Sequence, residues 1–121
     1  MKKIVFYITP IGKPRMVRFD TWSRRPAVAK YWLFKDQLNI LARQKRYVLG
    51  DTLDIIFLLP MPDSWSRKKR LQMIGKKHDQ KPDFDNLVKA FTDSLTNDDS
   101  KIYDVHVRKY WDRTGSIEVF L

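Results

Sequence analysis

Two carboxylates one residue apart, with a lysine one helical turn further on, are able to hold a hard cation beside a phosphate. The run Lys81-Pro82-Asp83-Phe84-Asp85-Asn86-Leu87-Val88-Lys89-Ala90-Phe91-Thr92-Asp93-Ser94-Leu95 contains them, and Asn97-Asp98-Asp99 follows directly. In an extended entry segment Asp83 and Asp85 point to the same side. Paired carboxylate oxygens of this kind suit Mg²⁺. Hydrolysis of a phosphodiester needs an activated water, stabilised charge on the phosphate and a stabilised leaving oxygen, and one or two such ions supply all three. Lys89 adds a compact positive charge suited to phosphate. The same residues also have a purely structural reading. Asp83 or Asp85 can cap a helix, and Lys89 can pair with Asp85 or Asp93 for only ~0.3–0.5 kcal/mol. Asn86 can support the turn, and Asp93 can stand behind the site or simply face solvent. The acidic cluster runs against a strongly basic chain, and close carboxylates repel one another without a cation; both points favour the metal reading.

The elements that position this cluster follow from the pattern around it. Pro82 disfavours helix before it, and Leu87, Phe91 and Leu95 then recur at helical spacing, which predicts a helix over 85–95. Upstream, residues 4–8 are β-branched or aromatic and predict a first strand, closed by Pro10 and Gly12. Tyr31, Phe34, Leu38 and Leu41 predict an amphipathic helix within 27–47, with Gly50 marking the end of that region. Residues 53–59 form a near-continuous apolar run, read as a strand central in its sheet. Ser64 or Ser66 then caps a short basic helix that Gly75 closes. Residues 102–111 and 116–121 alternate as strands, and Thr114-Gly115 between them predicts a hairpin. The fold class is α/β (α+β): a small mixed sheet of about four strands carrying two to three helices, in one domain over 1–121.

Composition narrows the function classes. The chain has 121 residues, a net charge of +10 and 43% apolar residues. That surplus favours a polyanionic partner, because phosphate binding releases counterions. Without cysteine, disulfide scaffolds and zinc–thiolate sites are excluded. His78 and His106 match no zinc spacing and read as ordinary surface or strand residues. No apolar run reaches the ~20 residues of a membrane span. The N-terminal apolar run stops at Thr9-Pro10 with no small-residue cleavage site, so a strand is expected there and a cytoplasmic location.

Basic side chains gather in two places. Between 10 and 26, Lys13, Arg15, Arg18, Arg24 and Arg25 are interleaved with Phe19 and Trp22, a combination that suits phosphate contact and base stacking; a solvated loop with aromatics tucked inward is the plainer reading. Asp20 lies in the same stretch as a further acid, with a salt bridge to a neighbouring arginine the simpler role. Arg67, Lys68, Lys69 and Arg70 on the short helix, then Lys76, Lys77 and Lys81, lead straight to the acidic motif and are expected to bind nucleic acid.

The run Asp83-Phe84-Asp85-Asn86-Leu87-Val88-Lys89-Ala90, with Asp93 and Asp98-Asp99 behind it, resembles the RusA family of Holliday junction resolvases. Lys13-Pro14-Arg15 after the first strand resembles the family's basic loop. Leu59-Pro60-Met61-Pro62 with Ser64-Trp65-Ser66 resembles a further segment, and the pieces occur in the family's order over most of the chain. The resemblance implies a homodimeric α/β endonuclease that nicks four-way DNA junctions with Mg²⁺ or Mn²⁺. It implies Asp83, Asp85 and Asp99 as metal-site aspartates and Lys89 as the essential lysine. Here the connection from Leu95 to Asp98 is shorter than in the family's best-known member, so Asp98 or Asp99 stands as the third carboxylate. Two other classes remain open: a non-catalytic DNA- or RNA-binding protein, and a nuclease acting on flaps and forks as well.

Overall fold

The computed structural model describes residues 2–15 and 25–121. Its elements are β1 (Lys3–Phe6), α1 (Pro26–Gln44), β2 (Thr52–Pro60), α2 (Arg67–Met73), α3 (Phe84–Leu95), β3 (Asp104–Asp112) and β4 (Ser116–Phe120). The four strands make one mixed sheet in the order β1-β4-β2-β3. β4 is antiparallel to both of its neighbours, and β2 runs parallel to β3. This is the α+β architecture expected, with β2 in the interior of the sheet.

The alternation of β2 buries Leu53, Ile55, Phe57 and Leu59 and leaves Asp54, Ile56 and Leu58 half-buried. Tyr31, Phe34, Leu38 and Ala42 of α1 and Leu87, Ala90 and Phe91 of α3 join the same core as Ile55, Phe57, Ile117 and Val119. Both helices therefore cover one face of the sheet. Phe6, Phe57 and Phe91 are among its largest fully buried side chains, each contributing roughly 1.5–3 kcal/mol of burial. The opposite face, carrying Val5, Ile56, Leu58, Glu118 and Phe120, is only partly covered. Arg108 bridges it by donating to Asp54 at 2.6 Å.

Two expectations give way here. β3 and β4 are no hairpin: β2 lies between them. The 113–115 turn instead passes over the end of β2, where Pro60 pairs with Asp112 and Leu58 with Ser116. A short turn between two alternating strands carries the same signal whether the strands touch or straddle a third. Gly115 is needed at that crossing, because a Cβ there would lie 2.7 Å from the Thr9 backbone. Helix α1, in turn, ends at Gln44 and not near Gly50. Arg46 takes the left-handed conformation (φ 54°), and the Tyr47 N–H donates to the Ala42 carbonyl. A glycine usually fills that position; an arginine there leaves no sequence signal. By contrast, Gly75, at φ 78°, closes α2 as expected, and Ser66 caps it by accepting from the Lys69 N–H at 3.1 Å.

Candidate active site

Helix α3 begins at the acidic motif. Asp83 occupies the N-cap position in extended conformation, yet its carboxylate caps no N–H. It accepts instead from Lys81 Nζ at 3.0 Å. Asp85 lies in the first turn and is exposed, and among the described residues nothing hydrogen-bonds or ion-pairs to its carboxylate. Both residues lie at the positive end of the α3 dipole.

Lys89 lies one turn further, 58% exposed, with Nζ 4.0 Å from Asp93. Asp93 is held more closely by Lys13, whose Nζ donates at 2.6 Å. That hydrogen bond is the main reason the Lys13 ammonium holds its proton more tightly than usual, and Asp99 adds a smaller attraction. Lys13 is thus ion-paired and half-buried, positioned to order the site more than to meet phosphate. Its backbone N–H also donates to the Asn86 carbonyl. The loop fits closely over α3: a Cβ on Gly12 would meet Asn86 and Pro82 at 3.1 Å. Lys13, Pro14, Arg15, Asn86 and Lys89 line a cavity of about 350 Å³ beside the motif.

Lys109 is the residue that sequence reading missed. It lies half-buried on β3 and donates to the carbonyls of Gln80 at 2.6 Å and Pro82 at 2.7 Å. Those bonds fix the turn that delivers Asp83. Burial lowers the Lys109 pKa, and the nearby Asp83 and Asp79 carboxylates act against that shift. The signal was present in the pattern: Lys109 interrupts the apolar register Val105, Val107, Trp111.

The remaining basic residues divide. Arg67, Lys68, Lys76, Lys77 and Lys81 are exposed. Lys69 rests over the Trp65 ring at 4.3 Å. Arg70 is a strut: its guanidinium donates to the Pro62 carbonyl at 2.9 Å, to Asp63 at 3.3 Å and to the Trp65 carbonyl at 3.4 Å. Arg15 is exposed at the loop, with its carbonyl accepting from Arg25. Arg18, together with Phe19, Asp20, Trp22 and Arg24, lies outside the described residues. His78 is no surface residue; it is 5% exposed, against Trp111 at 4.1 Å between ring centroids. A buried histidine in a lysine-rich segment gives no periodic signal to mark it.

Among the described residues no three His, Cys, Asp or Glu side chains cluster closely enough to enclose a metal. Asp98 is tied to Ser100, whose N–H and hydroxyl both donate to it and hold its pKa down. Asp99 is exposed beyond α3. The donor set fits Mg²⁺ in its usual protein manner, through one or two carboxylates with substrate phosphate and water completing the shell. Asp83 and Asp85 are two exposed carboxylates of that type at the start of α3, and the exposed Lys89 lies one turn further along the helix.

The family described as Endodeoxyribonuclease RusA matches residues 7–121 of the chain. The chain is also 31% identical to the Uncharacterized protein YqaN of Bacillus subtilis (strain 168), over 98% of this chain and 94% of that protein. No helix among the described residues is long and apolar enough to cross a membrane.

Proposed function

The chain belongs to the RusA endodeoxyribonuclease family, and on that premise we propose that it resolves four-way DNA junctions by paired, Mg²⁺-dependent nicking as a cytoplasmic homodimer. Asp83 and Asp85 are the proposed metal carboxylates, with Mn²⁺ as a substitute ion, and Asp99, the third of the expected set, would join them only by moving in from its exposed position beyond α3. The observation that carries the reading is the exposed Asp85 carboxylate, engaged by nothing among the described residues, two residues from Asp83 and one turn before Lys89. A capping role for these aspartates has no side-chain hydrogen bond behind it.

Bound there, the divalent ion supplies Lewis-acid stabilisation of the phosphate and a water of lowered pKa. The chain's own groups do the rest. Lys109 holds the 80–82 turn so that Asp83 faces the site. The Lys13–Asp93 pair anchors the overlying loop to α3. Lys89 is left with a distant, weak partner, so its ammonium can swing to a phosphate oxygen. Arg67 and Lys68 meet the flanking backbone. Each copy of a twofold dimer would present one such site to one of two symmetry-related strands.

The test is nicking of a mobile four-way junction in Mg²⁺, in Mn²⁺ and in EDTA, beside flap and linear duplex. Paired nicks on the junction that EDTA abolishes support the reading. Retardation without nicking under every condition assigns the chain to non-catalytic binding. Equal cutting of flaps makes it a broader structure-specific nuclease.

A further inference from the structure

Two ammonium groups reach for the same oxygen of Asp93. Lys13 Nζ lies 2.6 Å from Asp93 Oδ2, and Lys89 Nζ lies 4.0 Å from it. The first contact is a charge-assisted hydrogen bond, and the second is too long for any hydrogen bond. Lys89 is also disfavoured by its place on α3, because a cation four residues before its anion is the weaker order of such a pair. Lys13 comes from outside the helix and has no such handicap. Its Nζ rests 5.8 Å from the centroid of the buried Tyr31 ring, within cation–π range, and its backbone N–H is bonded to the Asn86 carbonyl. The Asp93 side chain is only 22% exposed, and among the described residues no other cation pairs with it. A half-buried carboxylate left without a partner is costly, so Lys89 is the group that would close on it if Lys13 were gone.

We propose that Lys13 is a positioning residue for Lys89: by occupying Asp93 it keeps the Lys89 ammonium off that carboxylate and free for a phosphate. Exchanging which lysine holds Asp93 leaves the net charge unchanged. What changes is which ammonium is left over: the half-buried one on the loop, or the one on α3 that is 58% exposed. Lys13 is therefore more than a loop anchor, since an anchor would serve equally well whatever Lys89 did. The dependence also ties Lys89 to the 10–15 loop. Arg15 and Lys89 line the same cavity of about 350 Å³, so the loop that frees one cation sets a second beside it. This role rests on the nuclease reading for the use to which Lys89 is put, and it goes beyond that reading in making Lys89 depend on Lys13 and Asp93.

The test pairs a loss with its rescue. Lys13→Met should slow single-turnover nicking of a four-way junction by about two- to fivefold, the range that capture in a partly exposed ion pair can impose. Lys13→Met/Asp93→Asn should return it to the unaltered rate, because nothing is left to capture Lys89; a lost anchor would leave the double variant slow. Lys13→Arg, which still holds Asp93, should cut normally. A second readout uses neither DNA nor metal: acylation of Lys89 by an amine-reactive acetyl ester, followed by mass spectrometry against the exposed Lys68 as internal standard. Labelling of Lys89 should slow in Lys13→Met by the same factor and recover in the double variant. Should Lys13→Met fail to fold, Asp93→Asn alone makes the test, since it should label and cut like the unaltered chain, whereas a lost anchor cuts slowly. Equal labelling of Lys89 in the unaltered chain and Lys13→Met, or a double variant that nicks as slowly as Lys13→Met, overturns the proposal. The expected labelling order in a protein that nicks no junction upholds it and counts against the nuclease alone; nicking with labelling unmoved counts against this role alone.

Discussion

Asp83 and Asp85 differ in a way that the sequence alone does not show: the first carboxylate is engaged by Lys81, and the second is engaged by nothing among the described residues. Asp85→Asn should therefore leave thermal stability within ~0.5 kcal/mol, as for an unengaged surface side chain. Nicking should disappear while junction binding stays or tightens, because one negative charge facing the phosphates is lost. The two readouts are rate and affinity on one junction; near-normal cleavage in Mg²⁺ would rule out a metal role for Asp85. Lys109→Met tests the missed residue. It leaves the Gln80 and Pro82 carbonyls without their donor, so the Asp83 turn loosens. Cleavage should fall by roughly tenfold or more, about the effect of displacing a catalytic group by a fraction of an ångström, with affinity changed far less. Lys109→Arg should restore part of the rate if holding those carbonyls is the role.

Within elements, α2 mixes two kinds of basic residue. Arg67 and Lys68 are exposed, whereas Arg70 ties down the 62–65 loop. Replacing Arg67 and Lys68 together by Ala should lower the slope of log K against log salt by about 1–2 with no change in Tm. Arg70→Ala should instead cost about 1–2 kcal/mol of stability, because it frees carbonyls from a charged donor. An unchanged salt slope in the double variant would assign those two side chains to plain solvation. The basic run was legible as a run; which members it spends on structure was not, since Pro62, Asp63 and Trp65 become partners only once the loop folds back. The acidic motif and α3 were legible because proline, acid and helical spacing all mark the same boundary. The placement of β4 was not, because Ile117 and Val119 show which face is buried but not which strand lies alongside. Lys13 was expected to reach phosphate, and only the return of the loop over α3 reveals Asp93 as its partner.

Across the whole molecule, the joint between β3 and the 75–78 segment sets a pH limit. His78 is buried against Trp111, its Nδ1 has no hydrogen bond among the described residues, and burial lowers its pKa below 6.5. The unfolded chain therefore takes up a proton that the folded chain resists. Stability from this group is complete above the ordinary value of 6.5 and falls as pH drops below it toward the depressed folded value. His78→Phe should flatten the unfolding free energy over that window relative to the unaltered chain, as read by denaturant titration at a series of pH values. Parallel curves for the two proteins would place the acid sensitivity elsewhere.

The position of β2 between β3 and β4 also bears on how the protein is made. Among the described residues β1 pairs only with β4, and β2 only with β3 and β4. A ribosome that has released residues 1–100 has therefore exposed two strands and every helix, but no partner strand for either. The sheet can close only when the last segment, 104–120, leaves the exit tunnel and slides in on both sides of β2. Until then the backbone N–H and C=O groups along both edges of β2 wait unpaired, which makes the nascent chain a client for holding chaperones. A 1–100 fragment should show helical circular dichroism without a cooperative thermal transition; a cooperative melt from that fragment would show that the helices organise the core before the sheet exists.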